Sequence, residues 1–279
     1  MHYAATIFPT AYAMPMTELG PALEQRGFES LWVAEHSHIP ASRKSPWPGG
    51  PELPQMYYDT LDPFVALTAA ASVTTTLRVA TGIALVIQRD PIHTAKEAAS
   101  LDVVSNGRFM LGIGAGWNIE EMEDHGTDPT TRFGRMRESV EAMRAIWGNE
   151  VAEYHGDQIS FDAMYANPKP VQAGGPPVHV GGVYPGALKR AVKYGDGWMP
   201  IGGRGTEDLA AQLADADRLC EEAGRSRSDF EVSIFAGPTA REELDHLEEI
   251  GVDRVVFFLP PAGAETLEPM LDKLATLTA

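Results

Sequence analysis

The sequence predicts a (β/α)8 TIM barrel with insertions, on three observations. Short apolar segments alternate with helix-length segments eight times along the chain, and that alternation implies parallel strands joined by helical crossovers. Two of the short segments, 78–86 and 254–259, are apolar almost throughout, as strands covered on both faces must be. The chain has 279 residues, close to the ~250 at which eight such units close into one domain.

Each element has a local reason. The first strand is read over 4–8, ended by Pro9, and its helix over 17–26, stopped by Gly27. The second strand is 30–35. Asp62-Pro63 opens the next helix, with Asp as N-cap and Pro at the first helical position, and the helix runs to about 75. The third strand is 78–86, and Asp90-Pro91 repeats the opening device for a helix ending at 104. Ser105-Asn106-Gly107-Arg108 is turn chemistry before a fourth strand over 109–113. A long helix over 131–147 is closed by Gly148, and an irregular insertion over about 149–177 carries a hairpin turn at 154–157. The last four strands are 178–182, 197–201, 231–235 and 254–259. Their helices begin at Pro185, at an N-cap on Thr206 and at a capping box Thr239-x-x-Glu242, and a final helix closes the ring. Nothing splits the chain, so 1–279 is one domain.

Between the second strand and its helix lies a Pro- and Gly-rich stretch, about 37–61. Loops of this length in compact domains are functional or disordered. This one holds Trp47, Tyr57 and Tyr58, aromatics that a disordered linker lacks, so it is read as a lid.

Composition narrows the function. The hydrophobic fraction is 44%, enough for a sizeable core, and the formal net charge is −17. Such a surface repels nucleic acid and anionic membrane as main partners. The single cysteine, Cys220, rules out an intrachain disulfide and is read as a packed thiol. No apolar run is long enough to span a bilayer, and the N-terminus lacks the pattern of a secretion signal. A cytoplasmic protein with a small-molecule substrate is expected.

In a barrel of this kind the chemistry sits at the C-terminal ends of the strands. The third strand brings Thr81, Gly82 and Ile83 there. The fourth ends in Gly112-Ile113-Gly114-Ala115-Gly116-Trp117. Side chains alternate along a strand, so Gly112, Gly114 and Gly116 share one bare face. That face either admits a flat or charged ligand or permits tight packing at a barrel corner. The dinucleotide fingerprint G-x-G-x-x-G fails, because its third Gly would be Trp117. The fifth strand ends in Gly181-Gly182-Val183-Tyr184 before a Pro-started helix. Consecutive outward N–H groups and a helix N-terminus suit an anion, against the plainer reading of an ordinary turn. Only the second strand offers acid–base side chains, at Glu35-His36-Ser37-His38. His36 is a candidate general acid or anion stabiliser, with Glu35 to orient it. His36-x-His38 also has the spacing of a metal pair, but the other strand ends add too few ligands, and no metal is expected. Small residues with free main chain at most strand ends point to a bound cofactor that performs the reaction.

Several segments together resemble the luciferase-like monooxygenase superfamily, and within it the branch of actinobacterial oxidoreductases that use the deazaflavin coenzyme F420. They are Leu31-Trp32-Val33-Ala34-Glu35-His36, Ala80-Thr81-Gly82-Ile83-Ala84-Leu85, Arg89-Asp90-Pro91 with Ala95-Lys96-Glu97, Ser105-Asn106-Gly107-Arg108-Phe109, Gly112 to Asn118, Val180-Gly181-Gly182 and Gly195-Asp196-Gly197-Trp198. The resemblance implies a barrel, often dimeric, that holds a flavin or deazaflavin across its mouth. It implies a bulge with a non-prolyl cis peptide at Gly82-Ile83 under the ring, and the cofactor phosphate on Gly181, Gly182, Val183 and Tyr184. It places His36 beside the reacting ring carbon and brings Thr81, Gly114, Gly116 and Trp117 to the cofactor's surroundings. Two departures redirect the reading. Sugar-phosphate dehydrogenases of the branch carry Glu where this chain has Trp117, and Trp where it has Pro40, so sugar-phosphate oxidation is not expected. FMN-using members carry Arg where this chain has Ala115, which favours the deazaflavin. The expected activity is hydride transfer between F420 and a small organic substrate. The alternatives are an FMN-dependent monooxygenase, a non-catalytic protein that only binds such a cofactor and, outside the family, a metal hydrolase.

Overall fold

The computed structural model describes residues 1–277. In chain order the elements are β1 (His2–Ile7), α1 (Met16–Gln25), β2 (Ser30–Val33), α2 (Pro63–Ala71), β3 (Arg78–Thr81), α3 (Pro91–Val104), β4 (Phe109–Ile113), α4 (Ile119–Asp124), α5 (Arg132–Gly148), β5 (Val151–His155), β6 (Ser160–Tyr165), β7 (Val178–Gly181), α6 (Gly186–Tyr194), β8 (Gly197–Met199), α7 (Leu209–Glu222), β9 (Glu231–Phe235), α8 (Arg241–Glu249), β10 (Arg254–Leu259) and α9 (Ala264–Ala275). Eight strands close into one barrel, β1-β2-β3-β4-β7-β8-β9-β10, with β10 pairing back to β1. Every barrel pairing is parallel. The predicted (β/α)8 barrel is therefore the observed fold. Among the described residues, no helix is long and apolar enough to cross a membrane.

The barrel is filled by side chains. Ala4, Trp32, Ala80, Met110, Met199 and Val256 form its interior, and a larger apolar layer lies between strands and helices. Asp62 caps α2 by accepting from the N–H groups of Phe64 at 2.9 Å and Val65 at 3.1 Å, and Asp90 caps α3 by accepting from His93 N–H at 2.8 Å. Cys220 is buried, and burial pushes its thiol pKa up, as befits a packed thiol.

Four local expectations need correction. The Asp208 side chain, not Thr206, caps α7, while the Thr206 hydroxyl accepts from Gly203 N–H at 3.2 Å. At α8 the N-cap is Ala240, with no side-chain cap, so Thr239-x-x-Glu242 does not close a box. The insertion after α5 is an antiparallel hairpin of β5 and β6 in which Tyr154 pairs with Phe161 and His155 with Ser160. Its turn therefore begins at Gly156, whose N–H bonds Ile159 O at 2.8 Å. Finally, β3 stops at Thr81 rather than running to residue 86.

The N-terminal end of the barrel is a polar plug. Arg254, fully buried, holds Glu29 through two bonds of 2.9 Å and reaches Glu231 at 2.8 Å and Ser233 at 2.9 Å. His179 lies beside this group, 3.5 Å from Glu231. A cleft lined by Arg144, His179, Asp196 and Glu231 opens here, at the end of the barrel that serves stability rather than chemistry.

Burial lowers the pKa of His179 to about 4, with Glu231 opposing and Arg254 reinforcing the shift. An unfolded imidazole titrates near 6.5. Between those values the unfolded chain binds the extra proton, so this residue removes stability as pH falls from about 6.5 to about 4. The largest contribution is roughly 3 kcal/mol. His179→Gln should flatten the pH dependence of the urea midpoint across that window, and an unchanged slope would refute the assignment.

Candidate active site

The site begins with an interruption of the β3–β4 ladder. Ala80 pairs with Met110, and pairing resumes at Ala84 with Ile113. Residues 81–83 thus face only 111–112, one extra residue on the β3 side, which is a β-bulge. The Gly82-Ile83 peptide within it is cis. Backbone bonds hold both flanks: Gly82 N–H to Val33 O at 2.6 Å, Ala84 N–H to Gly112 O at 2.7 Å and Gly114 N–H to Ala84 O at 3.1 Å.

The glycines opposite make room for this bulge. A methyl group on Gly112 would fall on the Thr81 carbonyl oxygen, and one on Gly114 would fall on Ile83 Cδ1. One on Gly181 would meet Ile83 Cγ2 at 3.0 Å. Gly114 and Gly181 therefore form a socket for Ile83, and Gly112 leaves room for the Thr81 carbonyl. Gly116 has φ +66°, and its open side faces Leu85 and Met122. Of the two readings of the bare glycine face, packing describes Gly112 and Gly114, where protein atoms fill the space a side chain would need, while Gly116 is partly exposed. Thr81 is fully buried, and its hydroxyl donates to Gly112 O at 2.7 Å. Gly82 and Ile83 remain partly exposed at the rim.

Glu35 does not orient His36. Neighbours at a strand end point to opposite sides, and Glu35 turns to the bulge. It accepts from Leu85 N–H at 2.6 Å and from Arg89 Nε at 2.7 Å. Arg89 also reaches Asp62 at 2.6 Å and Glu97 at 2.9 Å. Burial works against the Arg89 charge, but Glu35 and Asp62 more than offset it and hold its pKa above the usual value. Glu35 is thus the brace that fixes the chain leaving the bulge.

His36 is oriented instead by Glu121 of α4, whose Oε2 lies 2.8 Å from Nδ1. Glu121 is completely buried, and it also accepts from Ser37 N–H at 3.2 Å. With Nδ1 engaged, Nε2 is the ring nitrogen that can meet a ligand. The His36 ring lies 5.3 Å from that of Tyr57 and 5.8 Å from that of Trp117. Arg43 stands over Trp117 at 5.7 Å. Burial raises the Tyr57 pKa.

The 37–61 segment packs along the mouth. Trp47 contacts Tyr57, Ser45 Oγ accepts from Ile119 N–H at 3.0 Å, and Arg204 donates to Pro48 O at 2.8 Å. His36, Trp117, Tyr57 and Trp47 are therefore drawn together. Glu121 escaped the sequence reading because α4 was not predicted. Its signal was Asn118-x-x-Glu121, which resembles a capping box, yet Asn118 makes no side-chain cap and Glu121 serves another element. His36 and His38 do not converge, and no group of three or more His, Cys, Asp or Glu among the described residues is placed to hold a metal.

The loop after β7 differs from expectation in detail. Gly182 N–H is committed to Met199 O at 3.2 Å, so it is not free for an anion. Among the described residues, the next two N–H groups, of Val183 and Tyr184, have no partner. Val183 is 55% exposed, and α6 starts directly behind it. An anion would be met by Val183 and Tyr184 rather than by the glycines.

Comparison with known proteins agrees with this geometry. The family model for luciferase-like monooxygenases matches residues 5–255. An uncharacterised protein of Mycobacterium tuberculosis is 34% identical over 286 aligned residues, covering 100% of this chain and 99% of its own. The monooxygenase RslO1 of Streptomyces bottropensis superposes with a TM-score of 0.80 at 19% identity, covering 99% and 98% of the two chains. The coenzyme F420-dependent tetrahydromethanopterin reductase of Methanopyrus kandleri superposes with a TM-score of 0.75 at 17% identity, again over 99% and 98%. At those identities the two structures speak for the fold alone. Family model and full-length relative together show that this chain belongs to the luciferase-like monooxygenase family of oxidoreductases.

Proposed function

We propose that the protein is an F420-dependent oxidoreductase that moves a hydride between the deazaflavin and a small alcohol or carbonyl compound. The observation that carries the reading is His36, fixed through Nδ1 by buried Glu121 and set between Trp117 and Tyr57 at the barrel mouth. The residues present fit a flat, anionic cofactor. The bulge leaves Gly82 and Ile83 partly exposed at the rim, and the unpartnered N–H groups of Val183 and Tyr184 suit a phosphate. Buried Ala115 supplies no cation at the end of β4, which favours the deazaflavin over FMN. When bound, the deazaflavin supplies two-electron hydride chemistry. The protein's own part is proton handling and positioning. His36 Nε2 takes the hydroxyl proton of an alcohol as its carbon gives up hydride, or returns it in the reverse direction. Glu121 fixes the ring and faces the imidazolium that forms. Glu35 and Arg89 hold the bulge in place, and the 37–61 segment excludes water.

Tryptophan fluorescence titrations with F420 and with FMN test the cofactor. F420 should bind at least tenfold more tightly, and equal or tighter FMN binding overturns this choice. His36→Ala should keep F420 binding and lose about 10²–10⁴-fold in turnover. Unchanged turnover on a panel of alcohols and carbonyls would remove His36 from the reaction.

A further inference from the structure

A chain of hydrogen-bonding side chains runs from His36 to the outer surface. His36 Nδ1 meets Glu121 Oε2 at 2.8 Å. The other Glu121 oxygen faces Ser37 Oγ at 3.5 Å, the longest link. Ser37 Oγ lies 2.6 Å from His125 Nε2 and 2.9 Å from His38 Nδ1. His38 Nε2 lies 3.0 Å from Asp124, whose side chain is 61% exposed. The chain passes from a carboxylate with no solvent contact to one that is largely solvated. A cleft lined by His36, Ser37, Thr60, Asp62, Gln88 and His125 opens beside it. Two polar atoms of this cleft, Thr60 Oγ1 and Gln88 Nε2, are buried without partners.

We propose that Glu121, Ser37 and the pair His38 and His125 form a proton path that links His36 to solvent at the root of the 37–61 segment. The proposal rests on the reading of His36 as the proton-handling group. That group sits under a covering loop, and it must shed the proton it gains before it can act again. The path removes it. A proton gained at Nε2 from a substrate hydroxyl is matched by one leaving Nδ1 for Glu121. Glu121 passes a proton to Ser37 Oγ, and the hydroxyl passes its own to His125 or His38, which release one to water. Imidazole exchanges protons near neutral pH and has a donor–acceptor nitrogen on each side of the ring. One proton enters and one leaves, no electrons move along the path, and it runs backwards for reduction. Once the substrate has left, Nε2 exchanges with water and Nδ1 regains its proton along the same path. Ser37, His38 and His125 touch no reacting atom in this scheme. They are positioning residues that act through Glu121 and His36.

The plainer account is a solvated polar cluster, and exchange separates the two. In protein without cofactor and with 15N-labelled histidine, saturation transfer measures how fast the His36 Nδ1 proton exchanges with water. Ser37→Ala should slow it at least tenfold while the His36 and His179 chemical shifts stay in place. His38→Ala combined with His125→Ala should do the same, and added free imidazole should restore the rate. Unchanged exchange in both variants overturns the path. The measurement needs neither cofactor nor substrate. A failed F420 titration would sink the functional reading and leave this result standing, and the converse also holds.

Discussion

Gly112→Ala is expected to destabilise the protein by about 3 kcal/mol or more and to abolish cofactor binding, although residue 112 is fully buried and its side chain would touch no ligand. The added methyl would land on the Thr81 carbonyl, which is main chain and cannot rotate away. Moving it displaces the bulge and strains the bonds from Ala84 N–H and Thr81 Oγ1 to Gly112 O, both 2.7 Å long. Gly114→Ala is the control. Its methyl would meet the tip of the Ile83 side chain, which has rotamers to use, so the cost should stay below about 1.5 kcal/mol. Urea unfolding measures both. A Gly112→Ala midpoint equal to that of Gly114→Ala would show that the bulge yields easily and is not held by the close approach of Gly112.

What the sequence disclosed, and what it hid, divides along the range of the interactions. The barrel was legible because apolar runs and Asp-Pro helix openings are local signals, and Asp62 and Asp90 cap as read. The bulge at Gly82-Ile83 was legible only through family resemblance; strand propensity carries 78–86 straight through it. The tasks of Glu35 and Glu121 were exchanged because adjacency in sequence suggested a Glu35–His36 pair, whereas strand alternation separates the two and brings Glu121 across from a helix 85 residues away. Gly182 looked like a free donor until the register of β7 against β8 committed its N–H to Met199. Thr206 and Thr239 carried valid capping chemistry, but where each helix begins was decided by packing, not by the motif. Local pattern thus located the rim of the barrel, while the choice of partner for each polar group there was a tertiary matter.

Arg254→Ala, at the opposite end of the barrel, is expected to cost about 3–5 kcal/mol at pH 7, because it leaves the largely buried Glu29 with only the longer contact to Arg78 at 3.5 Å. Burial alone would raise the Glu29 pKa, but the two Arg254 bonds outweigh it and bring the carboxyl to about 2. In the wild type that pair contributes fully above about pH 4.3, the unfolded value, and fades as pH falls toward 2. Without Arg254 the sign reverses. Burial then dominates, Glu29 binds a proton more readily folded than unfolded, and mild acid relieves the variant. The gap between wild type and Arg254→Ala should therefore narrow from pH 7 to pH 5, and adding Glu29→Gln should recover part of the loss at pH 7. A gap that widens in acid would mean that Arg78, 3.5 Å from Glu29, or solvent keeps Glu29 charged once Arg254 is gone.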